Sequence, residues 1–253
     1  MAVKAKQEMS SEIVIEQLKM GSVNVWVKGL SPMIYNAMSE KARQELLYPK
    51  GRKTTADKQG NLKHNPIEEY RNSVYRSLNG GPTRLVFPAS AFKGAMAQAA
   101  LDLPGAKKAQ IGRLVWVEGD KVPLYGVPKM SMAITRSSDM NHTPDVRTRA
   151  IVPEWCCPVN IKFMKPNLNE TMVGRLLDAG GILSGVGDFR QGKGKGNYGQ
   201  FQICPNGEDD VKDLIKSGGQ TAQDAALQSP EFYDADTEAT YKWFEEERKK
   251  RGN

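Results

Sequence analysis

Between Gly185 and Gly199 the chain places six glycines in fifteen positions (185, 187, 192, 194, 196 and 199), out of 24 in 253 residues. Glycine loses more backbone freedom on ordering than any other residue. A run like this therefore belongs where main chain approaches something closely or adopts dihedrals that other residues avoid. Three cations, Arg190, Lys193 and Lys195, are interleaved with a single anion, Asp188. Main-chain N–H groups and lysines both favour phosphate oxygens, so the run points to a polyanion. A solvated surface loop is the alternative.

Two phosphate motifs nearly fit this run and both fail. Gly187 to Lys193 begins like a P-loop, but Gly194 stands where a Ser or Thr would hold magnesium. Gly194 to Gly199 matches the dinucleotide fingerprint letter by letter, yet Tyr198-Gly199-Gln200-Phe201-Gln202-Ile203 continues with strand-like alternation where that fingerprint needs a helix. No nucleoside triphosphate or NAD site is expected, and no cofactor.

Charge supports the polyanion reading. The chain carries 36 Lys+Arg against 29 Asp+Glu, net +7, unevenly spread: residues 205–240 hold nine acids and two lysines and residues 241–253 five bases and three acids, which leaves +12 on residues 1–204. A basic body with an acidic appendage suggests a nucleic-acid surface plus a segment with another role. Cys156 and Cys157 are adjacent and Cys204 is remote, which offers neither a disulfide framework nor zinc spacing; with two histidines, no metal centre is expected. No segment approaches the ~20 apolar residues of a membrane span, and the N-terminus lacks a signal-peptide core, so a cytoplasmic protein is expected.

The pattern divides the chain into an N-terminal arm (1–21), a body (22–204) with insertions at about 48–65 and 136–149, and an acidic linker with a C-terminal helix (205–253). In the body, Val23, Val25 and Val27 mark a strand ending at Gly29, and Ser31-Pro32 starts a helix to about Leu47. Residues 48–65 form a basic loop without apolar period, holding Lys50, Arg52 and Lys53. Asn65-Pro66 caps a helix using Ile67, Tyr70, Val74 and Leu78. A strand at Leu85–Phe87 leads into a helix opened by Pro88, whose first turn holds Ser90, Lys93 and Gly94 and whose alanines offer a thin face. Its unpaired N–H groups are a ready anion seat, or ordinary helix-start chemistry. Strands follow at Ile111–Val117 and Val122–Thr135, then a polar excursion with Arg136, Arg147 and Arg149, a strand at Val159–Met164, and a helix capped by Asn169. The glycine run and a strand to Ile203 close the body. Beyond it, Glu208–Ser217 reads as a short helix. A longer one starts at Ser229-Pro230, with Phe232, Ala235, Ala239 and Trp243 on one face.

This order fits an α+β fold with a β-α-β-β-α-β, ferredoxin-like core and inserted loops, leaving one sheet face open to single-stranded nucleic acid.

Two stretches together resemble the RAMP superfamily of CRISPR proteins. LSGVGDFRQGKGKGNYGQFQI is similar to that superfamily's glycine-rich loop, and FPASAFKGAMAQAA (Phe87–Ala100) is similar to the helix start of its backbone subunits. The resemblance spans roughly residues 22–204. It implies an RNA-recognition-motif-like fold and a subunit that oligomerises along a guide RNA, presenting it to a complementary RNA or DNA strand in antiviral defence. It assigns Ser90, Lys93 and Gly94 to the guide backbone, together with Gly185, Gly187, Arg190, Gly192, Lys193, Gly194, Lys195 and Tyr198. Arg136, Arg147 and Arg149 would belong to a thumb that interrupts pairing, and Lys50, Arg52 and Lys53 to a loop over the groove. Subunits of this kind that cut RNA carry an aspartate after the first strand. Here Lys28-Gly29-Leu30-Ser31-Pro32-Met33 supplies none, so a binding role without catalysis is expected. The alternatives are a repeat-processing endoribonuclease of the same superfamily, for which His64 and His142 are the candidates, and a sequence-independent single-strand-binding protein.

Overall fold

The computed structural model describes residues 17–38, 47, 64–78, 80–136, 144–193 and 196–250. The basic loop with Lys50, Arg52 and Lys53, the tip of the polar excursion with His142, and Gly194 and Lys195 lie outside the described residues. The described chain is mixed α+β with antiparallel sheets.

Strand β1 (Lys19–Gly29) is the spine of the main sheet. It pairs antiparallel with β8 (Cys156–Lys165) from Lys19↔Lys165 to Lys28↔Cys156, and its last residues pair with β9 (Phe201–Ile203). Strand β4 (Val115–Val117) flanks β8, giving the order β4-β8-β1-β9. Alternation sends Val23, Val25 and Val27 to one face, where they join Val159, Ile161, Phe163 and Phe201 in the core. Helices α2 (Ala89–Ala99) and α4 (Glu170–Ala179) cover that face with Phe92, Met96, Val173 and Leu177. Asn169 caps α4 as expected, its Oδ1 accepting from the Met172 N–H at 2.9 Å. Ala95 of α2 lies in the same core, and α2 also packs against the turn that follows α4. A Cβ on Gly180, at the π-helical turn Gly180–Ser184 after α4, would stand 3.0 Å from the Ala95 carbonyl carbon, so glycine lets the two elements close.

A second sheet holds β2 (Met33–Ile34), β7 (Pro144–Val152) and β6 (Lys129–Arg136), in the order β2-β7-β6. The helix expected to begin at Ser31-Pro32 does not begin there: Met33 and Ile34 pair with Val152 and Ile151, and the fully buried Met33 and Tyr35 fix an extended phase. The helix expected to reach Leu78 is α1 (Pro66–Asn72), and Leu78 is exposed. Ser73 ends it, its hydroxyl donating to the Tyr70 carbonyl at 2.7 Å while accepting the Ala150 N–H at 2.8 Å. Of the strand expected at Ile111–Val117, the first part is helix α3 (Lys108–Leu114). The next expected strand divides into β5 (Lys121–Pro123), paired with β3 (Val86–Pro88), and β6; Gly126, at φ 134°, turns the chain between them.

The acidic segment is built into the body. After a 3₁₀ turn (Gly207–Val211) it forms α5 (Lys212–Ser217), α6 (Gln220–Gln228) and α7 (Ala235–Lys250). Sequence reading missed α6, although it carries the most connected buried polar side chain described. Gln223 is fully buried, its Oε1 accepts the N–H groups of Arg84 (2.7 Å) and Leu85 (2.8 Å), and its Nε2 faces the carbonyls of Leu124, Gly126 and Gly218 at 2.7 to 3.1 Å. The apolar face expected on the terminal helix is shifted. Asp234 accepts the Thr237 N–H at 2.7 Å and starts α7 five residues later than Pro230, which buries Thr237 and Phe244 and leaves Trp243 half-exposed. Phe232 instead packs on Tyr241, 5.4 Å between ring centroids. Among the described residues no helix is long and apolar enough to cross a membrane.

Replacing Gln223 with Leu keeps its size and orphans the buried groups it joins, so we expect a loss of about 3 kcal/mol or more. At this chain length that lowers Tm by roughly 6–12 °C. A thermal melt within about 2 °C of the parent would contradict the role given to this side chain.

Candidate nucleic-acid interface

The glycine run is folded against the segment that follows β1. The Asp188 N–H donates to the Ile34 carbonyl (2.9 Å), the Gly199 N–H to the Pro32 carbonyl (2.8 Å), the Leu30 N–H to the Gln200 carbonyl (2.8 Å), and the Val186 N–H closes the loop on the Gly199 carbonyl (2.8 Å). These bonds bring backbone against backbone. A Cβ on Gly199 would stand 1.7 Å from the Val186 oxygen and one on Gly196 1.4 Å from the Phe189 oxygen, so no other residue fits at either position. The close approach inferred from the glycines is thus first an approach of the chain to itself.

Folding the loop this way opens a cleft of about 350 Å³ between it and one face of α2. Its walls are Ser90, Ala91, Gly94 and Gln98 from α2, the loop from Ser184 to Asp188 with Arg190, Gly192 and Lys193, and Asn36, Tyr75, Phe87 and Pro88. Ser90, Gly94 and Gln98 recur every fourth residue and so share a helix face. Lys93 lies off that face, is half-buried and does not line the cleft. No side chain caps α2, and the Ala89 N–H goes to the Asp120 carbonyl at 3.0 Å, so the first turn meets the cleft through Ser90 and Ala91.

The charges are arranged around Asp188. Its carboxylate pairs with the Arg149 guanidinium and lies 3.5 Å from Lys193 Nζ. Burial works to raise the Asp188 carboxyl, but Arg149, a hydrogen bond from the Phe189 backbone and Lys193 outweigh it and hold the group below the usual carboxylate range. Arg149 therefore braces the loop from β7. Arg147 is two residues away on the same face of β7, and Arg136 ends β6 opposite Pro144. Arg190 donates to the Gly187 carbonyl at 2.8 Å, whereas the Lys193 side chain is more than half exposed at the mouth. Tyr198 does not line the cleft; its ring packs beside that of Phe189, ring centroids 6.0 Å apart.

Sequence reasoning missed Asn36, Tyr75, Gln98, Ser184 and Phe189. The helical period from Ser90 could have found Gln98. Asn36 and Tyr75 lie just after β2 and α1, and no local signal brings those segments to the cleft. Phe189 is the one non-glycine residue with positive φ (49°) among the described residues. For a residue with a side chain that conformation costs about 1–2 kcal/mol.

The other expected surface, the second face of the main sheet, is partly closed. Trp26, Tyr125, Cys156 and Cys204 form a small cluster there with Val211, Leu214 and Ile215 of the acidic segment. Beyond it a groove of about 480 Å³ remains beside Trp26, Pro158 and Asn160, lined also by Lys121 and by Glu118, whose carboxylate pairs with Lys162 at 2.7 Å. His64 is not a simple surface histidine: Nδ1 lies 2.9 Å from Glu69 and Nε2 3.1 Å from Asp145, so each ring nitrogen faces a carboxylate.

Because folding favours the Asp188 carboxylate, its stabilisation is fully present above the usual carboxylate pKa of 3.8 and is lost as pH falls below that value. We expect Asp188→Asn, which leaves Arg149 unpaired, to cost about 1–3 kcal/mol at pH 7. The difference from the parent should shrink below pH 3.8. A difference in urea unfolding that stays constant across that range would contradict the pairing.

No family model and no curated protein sequence matches this chain. Among solved structures it is similar to a chain of the cryo-EM structure of the Type III-B Cmr-beta bound to cognate target RNA, with 13% identity and a TM-score of 0.34 over 74% of this chain. The match covers 59% of that chain, and at this level it carries no argument about fold or function.

Proposed function

We propose that this protein is an RNA-binding subunit that grips the sugar-phosphate backbone of a single strand in the cleft between α2 and the glycine loop. The observation that carries the reading is the convergence of two stretches about a hundred residues apart on one cleft, with Lys193 and Arg190 at its wall. Phosphate contacts of this kind position a strand without reading its sequence, and leave its bases available to a complementary strand. The strand order β4-β8-β1-β9, with α2 and α4 on one face, supports a ferredoxin-like core of the RNA-recognition type. On this reading the strand is a guide RNA, copies of the chain assemble along it, the partner is complementary RNA or DNA, and the protein acts in the cytoplasm. A binding role is favoured over a nuclease because the Asp188 carboxylate is engaged by Arg149 and both His64 nitrogens face carboxylates.

The test is salt-dependent binding of single-stranded RNA by the full chain. Removing both cations in Arg190→Ala/Lys193→Ala should weaken binding and reduce the slope of log affinity against log salt by about 1.4, some 0.7 per lost contact. Gly94→Glu, which puts a carboxylate into the cleft from α2, should weaken binding without touching the loop. Unchanged affinity and slope in both variants would remove the cleft from the interface. Light scattering should show subunit number rising with RNA length, and RNA that co-purifies should have a discrete length and sequence. A fixed 1:1 complex on long RNA, or equal affinity for any single strand, would instead favour a sequence-independent single-strand-binding protein.

A further inference from the structure

We propose that the Phe189 ring, backed by Tyr198, is a stacking platform for one unpaired base of the strand whose backbone occupies the cleft. This rests on the function proposed above. Phe189 stands between Asp188 and Arg190, both of which line the cleft; its own ring is half-exposed and lies outside the lining. An aromatic residue would ordinarily relax toward negative φ and bury its ring. Here the main chain holds it at φ 49°, through the Asp188 bridge to Ile34 on one side and the Arg190 bridge to Tyr198 on the other. The chain crosses directly beneath it at Gly196, so the inward space is filled by backbone. Strain kept in a loop beside a binding cleft is where a functional demand is expected. Tyr198, tilted 38° to Phe189, widens the apolar surface without covering it. Arg190 and Lys193 supply the charge that brings a nucleotide there in preference to an apolar protein surface, and any base offers a π-face to a ring.

The test uses the full chain with two fluorescently labelled single-stranded RNAs of one length, one of mixed sequence and one abasic throughout. Phe189→Gly removes the ring and relieves the positive φ, so its Tm should equal or exceed that of the parent. Its affinity for the mixed RNA should fall about tenfold, and its affinity for the abasic RNA should not change. Phe189→Trp should keep the affinity for the mixed RNA. A 2-aminopurine probe should be quenched on binding the parent and less so on binding Phe189→Gly. Equal affinity of parent and Phe189→Gly for the mixed RNA would overturn the platform and leave the cleft reading intact. An equal loss for both RNAs would overturn it in favour of a structural role for the ring. Loss of self-association in the absence of RNA would overturn it in favour of a protein contact. If the parent binds neither RNA, the function proposed above and the platform fall together.

Discussion

The main-chain hydrogen bonds between residues 30–34 and residues 186–200 are the constraint on which the candidate site depends. They join the end of β1 to a loop more than 150 residues later, where a Cβ on Gly187 would stand 2.8 Å from the Ile34 oxygen; the loop also closes on itself at Gly196 and Gly199, where Phe189 and Val186 leave no room for a side chain. Once made, they set the distance from the loop to α2, and that distance is the cleft. They also determine which side chains can face it: Asp188 turns toward Arg149, Lys193 toward the mouth, and Phe189 outward. A loop that looks permissive in composition is thus among the most tightly specified parts of the fold.

The same arrangement decides between two surfaces that a chain of this charge offers. The main sheet has a second face with Trp26 at its centre, the sort of surface on which bases could lie. There the apolar residues of the acidic segment close one end, and at the other the groove holds one cation, Lys121, beside the Glu118 carboxylate that pairs with Lys162. In the cleft the single acid is already satisfied by Arg149, so Lys193 and Arg190 are left to set the local field.

What the sequence reveals and what it hides follow one rule. Signals carried within a few residues are legible: the valine alternation of β1, the Asn65 and Asn169 caps, Pro88 before α2, and the punctuation by glycine. Failures occur where tertiary partners override local preference. Ser31-Pro32 resembles a helix start, but the burial of Met33 and Tyr35 against β7 keeps the chain extended. Leu78 keeps helical spacing, yet Ser73 ends the helix through a bond to Ala150 that no local window contains. The role of Gln223 is hidden for the same reason, since its partners lie just before β3, just after β5 and in the turn before α6. At the site, the two motifs are visible separately, but their meeting and the inclusion of Asn36 and Tyr75 are properties of the fold alone.

Anchoring the 3₁₀ turn to the sheet through Val211 and Cys204 has an effect beyond packing. It immobilises Glu208, Asp209 and Asp210 on the side of the sheet away from α2 and α4. Carboxylates are therefore fixed beside that end of the sheet, Asp209 with Lys212 as its partner at 2.6 Å. Fixed carboxylates of this kind repel other anions from that end of the sheet, more strongly at low salt than at high, so the segment screens the surface it covers by charge as well as by contact.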